Sequence, residues 1–238
     1  MAYVLYDLRA ADGRSFSPFC WRARMALAHK GIQPELRKVR FTDIAHIGHQ
    51  ARTVPVLLDG DAVIRDSWDI ALYLDEKLPD APRLFPTEGD RRLVLFMHQW
   101  AVTQLHMPIF KAVAADIWDA LDPEDQPYFR ASREKRLGAP LESVRESQAE
   151  TIAQLRANLT PLRLLVDKQN FVGGTHPTYA DYVAFGALQW ARVIGKPQLL
   201  EPEDAVSGWF QRCLDLHGGT ARREAGRETQ RRPMTSLE

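Results

Sequence analysis

The sequence predicts an α+β protein in which a small domain of alternating strands and helices precedes a larger domain built of helices. Short runs rich in aromatic and β-branched residues occur within residues 1–80 and largely disappear afterwards. The stretch 79–89 contains three prolines and a glycine, a composition typical of a connection between domains. We therefore predict a first domain over residues 1–80, a linker over 81–89 and an all-α domain over 90–238.

The first domain is expected to run strand, helix, strand, hairpin and helix. Its first helix is well delimited, since Ser17 suits the N-cap, Pro18 the first turn and Gly31 the position just past the end. Asp59-Gly60-Asp61, between two apolar runs, indicates the hairpin. The predicted strands are Tyr3–Leu8, Glu35–Phe41, Val54–Leu58 and Ala62–Ile64, and the predicted helices are Pro18–Lys30 and Asp66-Ser67 to about Leu78.

The second domain is expected to contain two long helices followed by two shorter ones. Helical patterns predict them at Asp90–Leu121, Ala131–Gln169, Thr178–Ile194 and Glu203–Leu216. Pro108 lies inside the first and is expected to kink it, because proline cannot donate the hydrogen bond that an α-helix requires. The polar, arginine-rich tail from Gly218 is expected to be solvated.

Composition narrows the classes of function. Of 238 residues, 45% are apolar, and 31 basic residues cancel 31 acidic ones, so net charge favours neither a nucleic acid nor an anionic membrane as partner. The apolar runs are far shorter than the roughly 20 residues of a membrane span, and Met1–Val4 leads directly into a strand, so we expect no secretory signal. Two cysteines fit a reducing compartment, and the sequence contains no zinc spacing or P-loop, so we expect a cytoplasmic protein without bound metal.

The first motif of chemical interest is Ser17-Pro18-Phe19-Cys20, at the start of the helix that follows the first strand. A helix N-terminus offers unpaired N–H groups and the positive end of the dipole, and so stabilises an anion placed against it. On local sequence alone Ser17 is a plain N-cap. Cys20 is either a thiol acidified by the first helical turn or a small buried residue.

Two further motifs stand at the starts of the third strand and the next helix. In Val54-Pro55, a cis bond would leave the Val54 backbone free to pair with an extended ligand, although a trans turn proline is the commoner case. In Asp66-Ser67, the hydroxyl could hold a carboxylate and the aspartate an ammonium group, or the pair could simply cap the helix.

In this order and at these spacings, the motifs resemble the glutathione transferase superfamily, whose N-terminal domain is thioredoxin-like. The resemblance covers nearly the whole chain. In the helical half, Thr178-Tyr179-Ala180-Asp181 resembles the family's buried capping box, which satisfies two free donors at a helix start. The anchors in the first domain are residues 17–22 (Ser-Pro-Phe-Cys-Trp-Arg), Val54-Pro55 and Asp66-Ser67.

The motif around Ser17 looks closest to the bacterial β-etherase-like branch and its fungal serine-type relatives, some of which use glutathione to cleave aryl ethers. Ser17 takes the position of the nucleophilic cysteine of glutaredoxin-like proteins, and Cys20 takes the resolving position. The resemblance therefore implies a glutathione transferase, of the kind that detoxifies electrophiles, in which Ser17 stabilises the glutathione thiolate. A two-thiol exchange cycle is not expected.

The resemblance also implies the binding residues. Glutathione would be the co-substrate, a hydrophobic electrophile the second substrate, and the assembly a homodimer. The implied glutathione-binding residues are Val54 and Pro55 for the cysteinyl part, Asp66 and Ser67 for the γ-glutamyl end, and Gln50 and Arg52 for the glycyl carboxylate. The implied pocket for the second substrate contains Phe19, Met107 and Phe110.

Two other functions fit the same sequence. One is a glutathione-dependent isomerase, which would need basic residues in the pocket to hold a diacid. The other is a non-catalytic family member that binds a hydrophobic ligand or a protein partner, since fold alone does not settle function.

Overall fold

The N-terminal half is a four-stranded mixed sheet with the thioredoxin-like arrangement. In the computed structural model, which describes residues 3–49 and 51–226, the strands are β1 (Tyr3–Leu8), β2 (Glu35–Val39), β3 (Val56–Asp59) and β4 (Ala62–Arg65), in the order β2-β1-β3-β4. Strand β2 pairs parallel to β1, and β3 pairs antiparallel to both β1 and β4. The helices are α1 (Pro18–His29) and α2 (Ser67–Lys77). All predicted strands and helices of this half are confirmed, to within two residues at their ends.

The C-terminal half is helical, as predicted, but its helices are shorter and more numerous. They are α3 (Glu88–Ala101), α4 (Met107–Ala120), α5 (Gln126–Leu137), α6 (Leu141–Glu146), α7 (Gln148–Asn158), α8 (Thr160–Val166), α9 (Tyr179–Ile194) and α10 (Ala205–Gly219). The predicted single helix Ala131–Gln169 is wrong. Gly138, at φ +70°, ends α5 in the left-handed conformation that favours glycine, and Pro140 and Pro161 stand at the starts of α6 and α8.

The predicted helix Asp90–Leu121 is interrupted around Pro108. A π-helical turn, Val102–His106, separates α3 from α4. Since Pro108 has no N–H, the carbonyl of Gln104 four residues earlier loses its donor. The side-chain amide of Asn158 on α7 donates to that carbonyl at 3.0 Å. The expected kink is therefore a change of helical register that includes His106.

The two halves pack through α1 and α9. A Cβ atom at Gly186 would lie 2.5 Å from the carbonyl oxygen of Pro18, so glycine is needed for the first turn of α1 to sit this close to α9. The capping box at Thr178 and Asp181 forms as predicted. The Asp181 carboxylate is buried and also accepts a hydrogen bond from the Trp209 indole at 2.9 Å, which ties α9 to α10.

Residues 227–238, which include much of the polar tail, lie outside the described residues, as does Gln50. Among the helices described within 3–49 and 51–226, none has the length and apolar character needed to cross a membrane.

Candidate functional site

A cleft of about 480 Å³ lies between the two halves, and most of the predicted site residues meet there. The sheet half contributes the first turn of α1, the segment before β3 and the residue before α2, and the helical half contributes the π-helical turn, α4, α5 and α9. Two other clefts among the described residues, of about 470 and 500 Å³, contain none of the predicted site residues. The lining residues predicted from sequence are Ser17, Phe19, Arg52, Val54, Asp66, Met107 and Phe110.

Ser17 is placed by its role as the N-cap of α1. Its hydroxyl oxygen accepts a hydrogen bond from the Cys20 backbone N–H at 3.3 Å, and its backbone is extended. A serine hydroxyl has one donor and two acceptor lone pairs, so accepting the Cys20 N–H does not use its own O–H, which can donate to the Cys20 thiol or to a ligand in the cleft. Ser17 is 5% exposed and lines the cleft. Its hydroxyl therefore lies beside the positive end of a helix dipole, in a largely desolvated position.

Cys20 is not the acidified thiol that the first-turn position suggested. It is fully buried, and burial together with the nearby Asp7 carboxylate raises the pKa of its thiol well above the usual range. Cys213 is also a free, buried thiol. Burial outweighs the helix dipole at Cys20, because the dipole can stabilise a thiolate only where desolvation does not cost more.

The Val54–Pro55 peptide bond is cis. Strand β3 begins at Val56, one residue past the proline, which corrects the predicted start at Val54. Within the described residues, no hydrogen bond joins the Val54 backbone to another group. Val54 lines the cleft, whereas Pro55 is buried behind it.

Asp66 and Ser67 occupy different environments. Asp66 is exposed, lines the cleft and accepts the Trp68 backbone N–H at 2.7 Å; its φ of +72° is unusual for a residue other than glycine. Ser67 is fully buried, and its hydroxyl has no hydrogen-bond partner among the described residues. Its carbonyl accepts the Tyr179 hydroxyl at 2.6 Å, so the start of α2 is fastened to α9.

Of the two residues proposed for a glycyl carboxylate, Arg52 lines the cleft and is exposed. It forms no ion pair with the described residues. Gln50 lies outside the described residues, so its assignment stays a prediction from sequence.

The wall of the cleft near Phe19 and Phe110 is largely aromatic. Phe110 stacks on Trp190 of α9 with ring centroids 5.8 Å apart and planes 13° apart, and Phe19 lies 5.1 Å from the His106 ring. Met107 is half-buried and contacts the cleft from the start of α4. The structure thus brings the three predicted pocket residues to one wall, while their contact with a substrate stays a prediction.

Sequence reasoning missed the contribution of α5. Phe129, Arg133 and Arg136 follow the i, i+4, i+7 spacing of one helix face, and all three line the cleft. That spacing was available in the sequence, but placing it over the cleft requires a tertiary contact. The Asp125 carboxylate accepts the backbone N–H groups of Phe41 and Thr42 at 3.0 Å, which anchors the start of α5 to the sheet half.

Beneath the cleft, a buried cation fixes the state of a histidine. Arg22 is fully buried, and its guanidinium lies 2.6 Å from Nε2 of His106 and 3.3 Å from Nδ1 of His98. Burial lowers the pKa of Arg22 to about 10, so it remains a cation that can only donate. Burial and the Arg22 charge hold the pKa of His106 well below its usual range. His106 is therefore neutral, accepts at Nε2 and carries its proton on Nδ1.

The fold, a thioredoxin-like domain followed by a helical domain, is the one found in proteins of the glutathione S-transferase type. Residues 93–216 match the family model of the glutathione S-transferase C-terminal domain, and residues 16–77 match that of the N-terminal domain. Because the first match alone covers more than half of the chain, the protein belongs to the glutathione S-transferase family. Among residues 3–49 and 51–226, no group of three or more His, Cys, Asp or Glu side chains is arranged to hold a metal ion.

The chain is similar to plant and fungal members. Glutathione S-transferase Z1 of Arabidopsis thaliana is 42% identical over 80 residues, which are 31% of this chain and only 35% of that relative. The crystal structure of glutathione transferase GSTFuA3 from Phanerochaete chrysosporium has a TM-score of 0.74 at 30% identity and covers 92% of both chains. A glutathione S-transferase of Ceriporiopsis subvermispora in complex with glutathione has a TM-score of 0.77 at 23% identity, covering 91% of this chain and 98% of that one, a likeness that shows the fold.

Proposed function

We propose that the protein is a glutathione transferase in which Ser17 stabilises the thiolate of glutathione for attack on a hydrophobic electrophile. The observation that carries this proposal is the position of the Ser17 hydroxyl, which caps the start of α1 on the wall of the interdomain cleft. The aromatic wall on the other side of the same cleft supports an apolar second substrate.

The proposed role of Ser17 is to lower the pKa of the glutathione thiol. A free glutathione thiol has a pKa near that of cysteine, roughly 8.5, so only a few per cent is thiolate at neutral pH. The Ser17 O–H donating to sulfur and the dipole of α1 both favour the charged form. A depression of about two units would make the thiolate dominant at pH 7, and each unit corresponds to about 1.4 kcal/mol.

The reaction then forms a carbon–sulfur bond and breaks the bond to a leaving group. The thiolate supplies the electron pair, the leaving group departs with the pair from its own bond, and the thiol proton is lost to solvent. Ser17 makes no covalent bond in this scheme.

The rest of glutathione would lie along the sheet half of the cleft. The Val54 backbone N–H and C=O, which have no hydrogen-bond partner among the described residues, would bond to the cysteinyl part, and Asp66 would hold the γ-glutamyl ammonium. Arg52 and Gln50 would bind the glycyl carboxylate. The Ser67 hydroxyl, which has no hydrogen-bond partner among the described residues, would contribute only if it became accessible to the ligand. Membership of the glutathione S-transferase family supports glutathione as the co-substrate.

We propose that the protein belongs with the bacterial serine-type transferases, closest in motif to the β-etherase-like branch, and that aryl ethers are a substrate class. The support is the Ser-Pro-Phe-Cys-Trp-Arg motif at residues 17–22, together with the similarity to a fungal transferase structure along 92% of the chain. The direct test is glutathione consumption with a model aryl ether whose released phenol is measured. Unchanged ether, with a simple aryl halide consumed, would reject this substrate class and leave the transferase proposal standing.

We also propose a cytoplasmic homodimer. Phe96 is 72% exposed and Leu93 is 69% exposed on α3. Partly buried Trp68, Leu72 and Tyr73 on α2 and Trp100 on α3 offer further apolar surface. Contiguous exposed apolar surface is typical of an interface, and pairing by a twofold axis is the commonest assembly. The two free, buried thiols fit a reducing compartment.

One observation favours a second candidate, the glutathione-dependent isomerase. That reaction needs basic residues to hold a diacid, and Arg133 and Arg136 line the cleft. The two reactions differ in the fate of glutathione, which a transferase consumes with each turnover and an isomerase returns. Measuring free thiol against product distinguishes them, since a constant thiol concentration during turnover would reject the transferase.

A further inference from the structure

Two arginines on α5 present positive charge to the cleft without an acidic partner among the described residues. The Arg133 guanidinium lies 5.1 Å from the ring centroid of Phe129 and 5.3 Å from that of Phe41, and it donates to the Ser132 hydroxyl at 3.0 Å. The Arg136 guanidinium lies 5.6 Å from the Phe110 ring centroid and 3.5 Å from Sδ of Met107. Every one of these partners is uncharged.

A neighbour on the same helix shows the contrast. Arg130 donates to Glu134 at 2.9 Å and to Glu142 at 2.8 Å, so its charge is balanced locally. The only acidic residue that lines the cleft among those described is Asp66, on the opposite, sheet side. The positive charge at the α5 wall is therefore available to a ligand.

The cations also oppose one another. Burial lowers the pKa of Arg133, and the charge of Arg136 lowers it further. The Arg136 charge also contributes to the low pKa of His106. An anion bound between the two guanidinium groups would relieve this repulsion, because opposite charges close together favour the charged forms.

The surroundings restrict the kind of anion. Flat aromatic surfaces flank both arginines, with Phe41 and Phe129 on one side and the stacked pair of Phe110 and Trp190 on the other. A cleft of about 480 Å³ has room for a small ligand beside a tripeptide's thiol but not for a macromolecule. Guanidinium groups match carboxylates in shape and can bind them through two hydrogen bonds.

We propose that Arg133 and Arg136 bind a carboxylate on the second substrate, so that the preferred electrophile is an aromatic acid whose ring lies against the Phe110 wall. This proposal rests on the proposed transferase function and names the substrate class for the same site. It assigns Arg133 and Arg136 to the second substrate, whereas Arg52, on the sheet side, is left to glutathione.

The test compares two electrophiles that differ in one charge. In 4-chloro-3-nitrobenzoate and its neutral amide, glutathione forms a carbon–sulfur bond at the ring carbon that bears chlorine, chloride leaves with the bonding pair, and the thiol proton goes to solvent. The quantity measured is kcat/KM for the benzoate divided by that for the benzamide. Comparing this ratio between variants cancels the difference in intrinsic reactivity of the two compounds.

The informative variant is Arg133→Gln with Arg136→Gln. A charge-assisted hydrogen bond is worth roughly 1.5–3 kcal/mol, so we expect the ratio to fall roughly 10- to 100-fold, because the benzoate loses a charge partner that the benzamide does not have. Lys135→Gln is the matched control, since it removes the same charge from an exposed neighbour that does not line the cleft. The control should leave the ratio within about twofold of the wild-type value. Arg136→Gln alone should lower the benzoate-to-benzamide ratio by a smaller factor. Because Arg136 is exposed, this single variant replaces the double variant in the test if the double variant does not fold.

The outcomes separate this proposal from the function on which it rests. Turnover of the benzamide with an unchanged ratio in the variants would overturn the carboxylate site and keep the transferase. If the protein turned over neither compound, the transferase would be rejected for these electrophiles, and calorimetric binding without glutathione would decide the carboxylate site. Wild-type protein that bound the benzoate more tightly than the benzamide, with the preference lost in Arg136→Gln, would support the site, and equal binding would overturn it.

Discussion

Replacing Ser17 by alanine removes one hydroxyl from the cleft and leaves the helix behind it in place. The hydroxyl accepts the Cys20 N–H at 3.3 Å, a long contact that does not use its own proton. The change should therefore affect bound glutathione more than it affects the fold. Loss of an N-cap costs roughly 0.5–2 kcal/mol in general, and we expect the lower end here.

The expected effect on the thiol follows from the lost hydrogen bond. A bond to a charged group contributes roughly 1.5–3 kcal/mol, which raises the pKa of bound glutathione by about one to two units. At a pH below that pKa the transfer rate should fall about 10- to 100-fold. The dipole of α1 remains, so the loss should not be complete. Glutathione affinity should change by only a few-fold, since the other contacts are kept.

The assay is ultraviolet titration of the thiolate in the binary complex, for the wild type and for Ser17→Ala. Ser15→Ala is the matched control, because Ser15 is a buried serine two residues away that does not line the cleft. If wild type and Ser17→Ala titrate at the same pH and turn over at the same rate, Ser17 is only a helix cap.

Four further outcomes are expected. Asp66→Ala should raise the KM for glutathione more than it lowers kcat, and Asp69→Ala is the control. Equal decreases in kcat and kcat/KM at constant KM would show instead that Asp66 stabilises the transition state. Light scattering should give about twice the 27.1 kDa chain mass, and Phe96→Glu should weaken the dimer, whereas a wild-type monomer at micromolar concentration would contradict the proposed interface. Cys20 should react with a thiol reagent only on unfolding, because it is fully buried, so rapid labelling of the native protein would refute its assignment as inert. Burial lowers the pKa of His29 to about 4, so below pH 6.5 the unfolded chain binds a proton that the folded chain does not. As the pH falls from about 6.5 toward 4, the free energy of unfolding should therefore decrease by up to about 1.4 kcal/mol per pH unit for that group. An equally steep decrease in His29→Gln would show that other groups are responsible.

The strands and helices of the N-terminal half could be predicted because the sequence patterns that indicate them are local. Ser17 and Pro18 start α1, and Asp59-Gly60-Asp61 turns between β3 and β4, each through preferences that depend on a few neighbouring residues. The capping box of α9 is local in the same way. Such features persist in any fold that contains them, so the order of strands and helices in this half could be predicted from local sequence. The thioredoxin-like fold and the role proposed for Ser17 came instead from the resemblance to a family.

The breaks in the second half were harder to place, although some of their causes are visible in the chain. Pro108 predicted a disturbance, but the type of disturbance depends on Asn158, which donates to the carbonyl that Pro108 leaves unpaired. That partner lies on another helix, and sequence spacing does not identify it. This change of helical register affects the cleft, because the π-helical turn contains His106, whose protonation state and tautomer are set by Arg22.

Which residues are buried, and which distant residues line the same cleft, were decided by tertiary structure alone. Cys20 stands at a position that would acidify an exposed thiol, yet packing of α1 against the sheet and α9 buries it and reverses the shift. Ser17 and Arg136 are far apart in sequence and line one cleft because Gly186 lets α9 approach α1 while Asp125 fastens α5 to the sheet half. The sequence by itself determined the helix starts, the turn and the chemical type of each residue, since these depend on neighbours along the chain. Which residues lose water and which charges face the same cavity depend on contacts between distant segments, and those the fold alone decided.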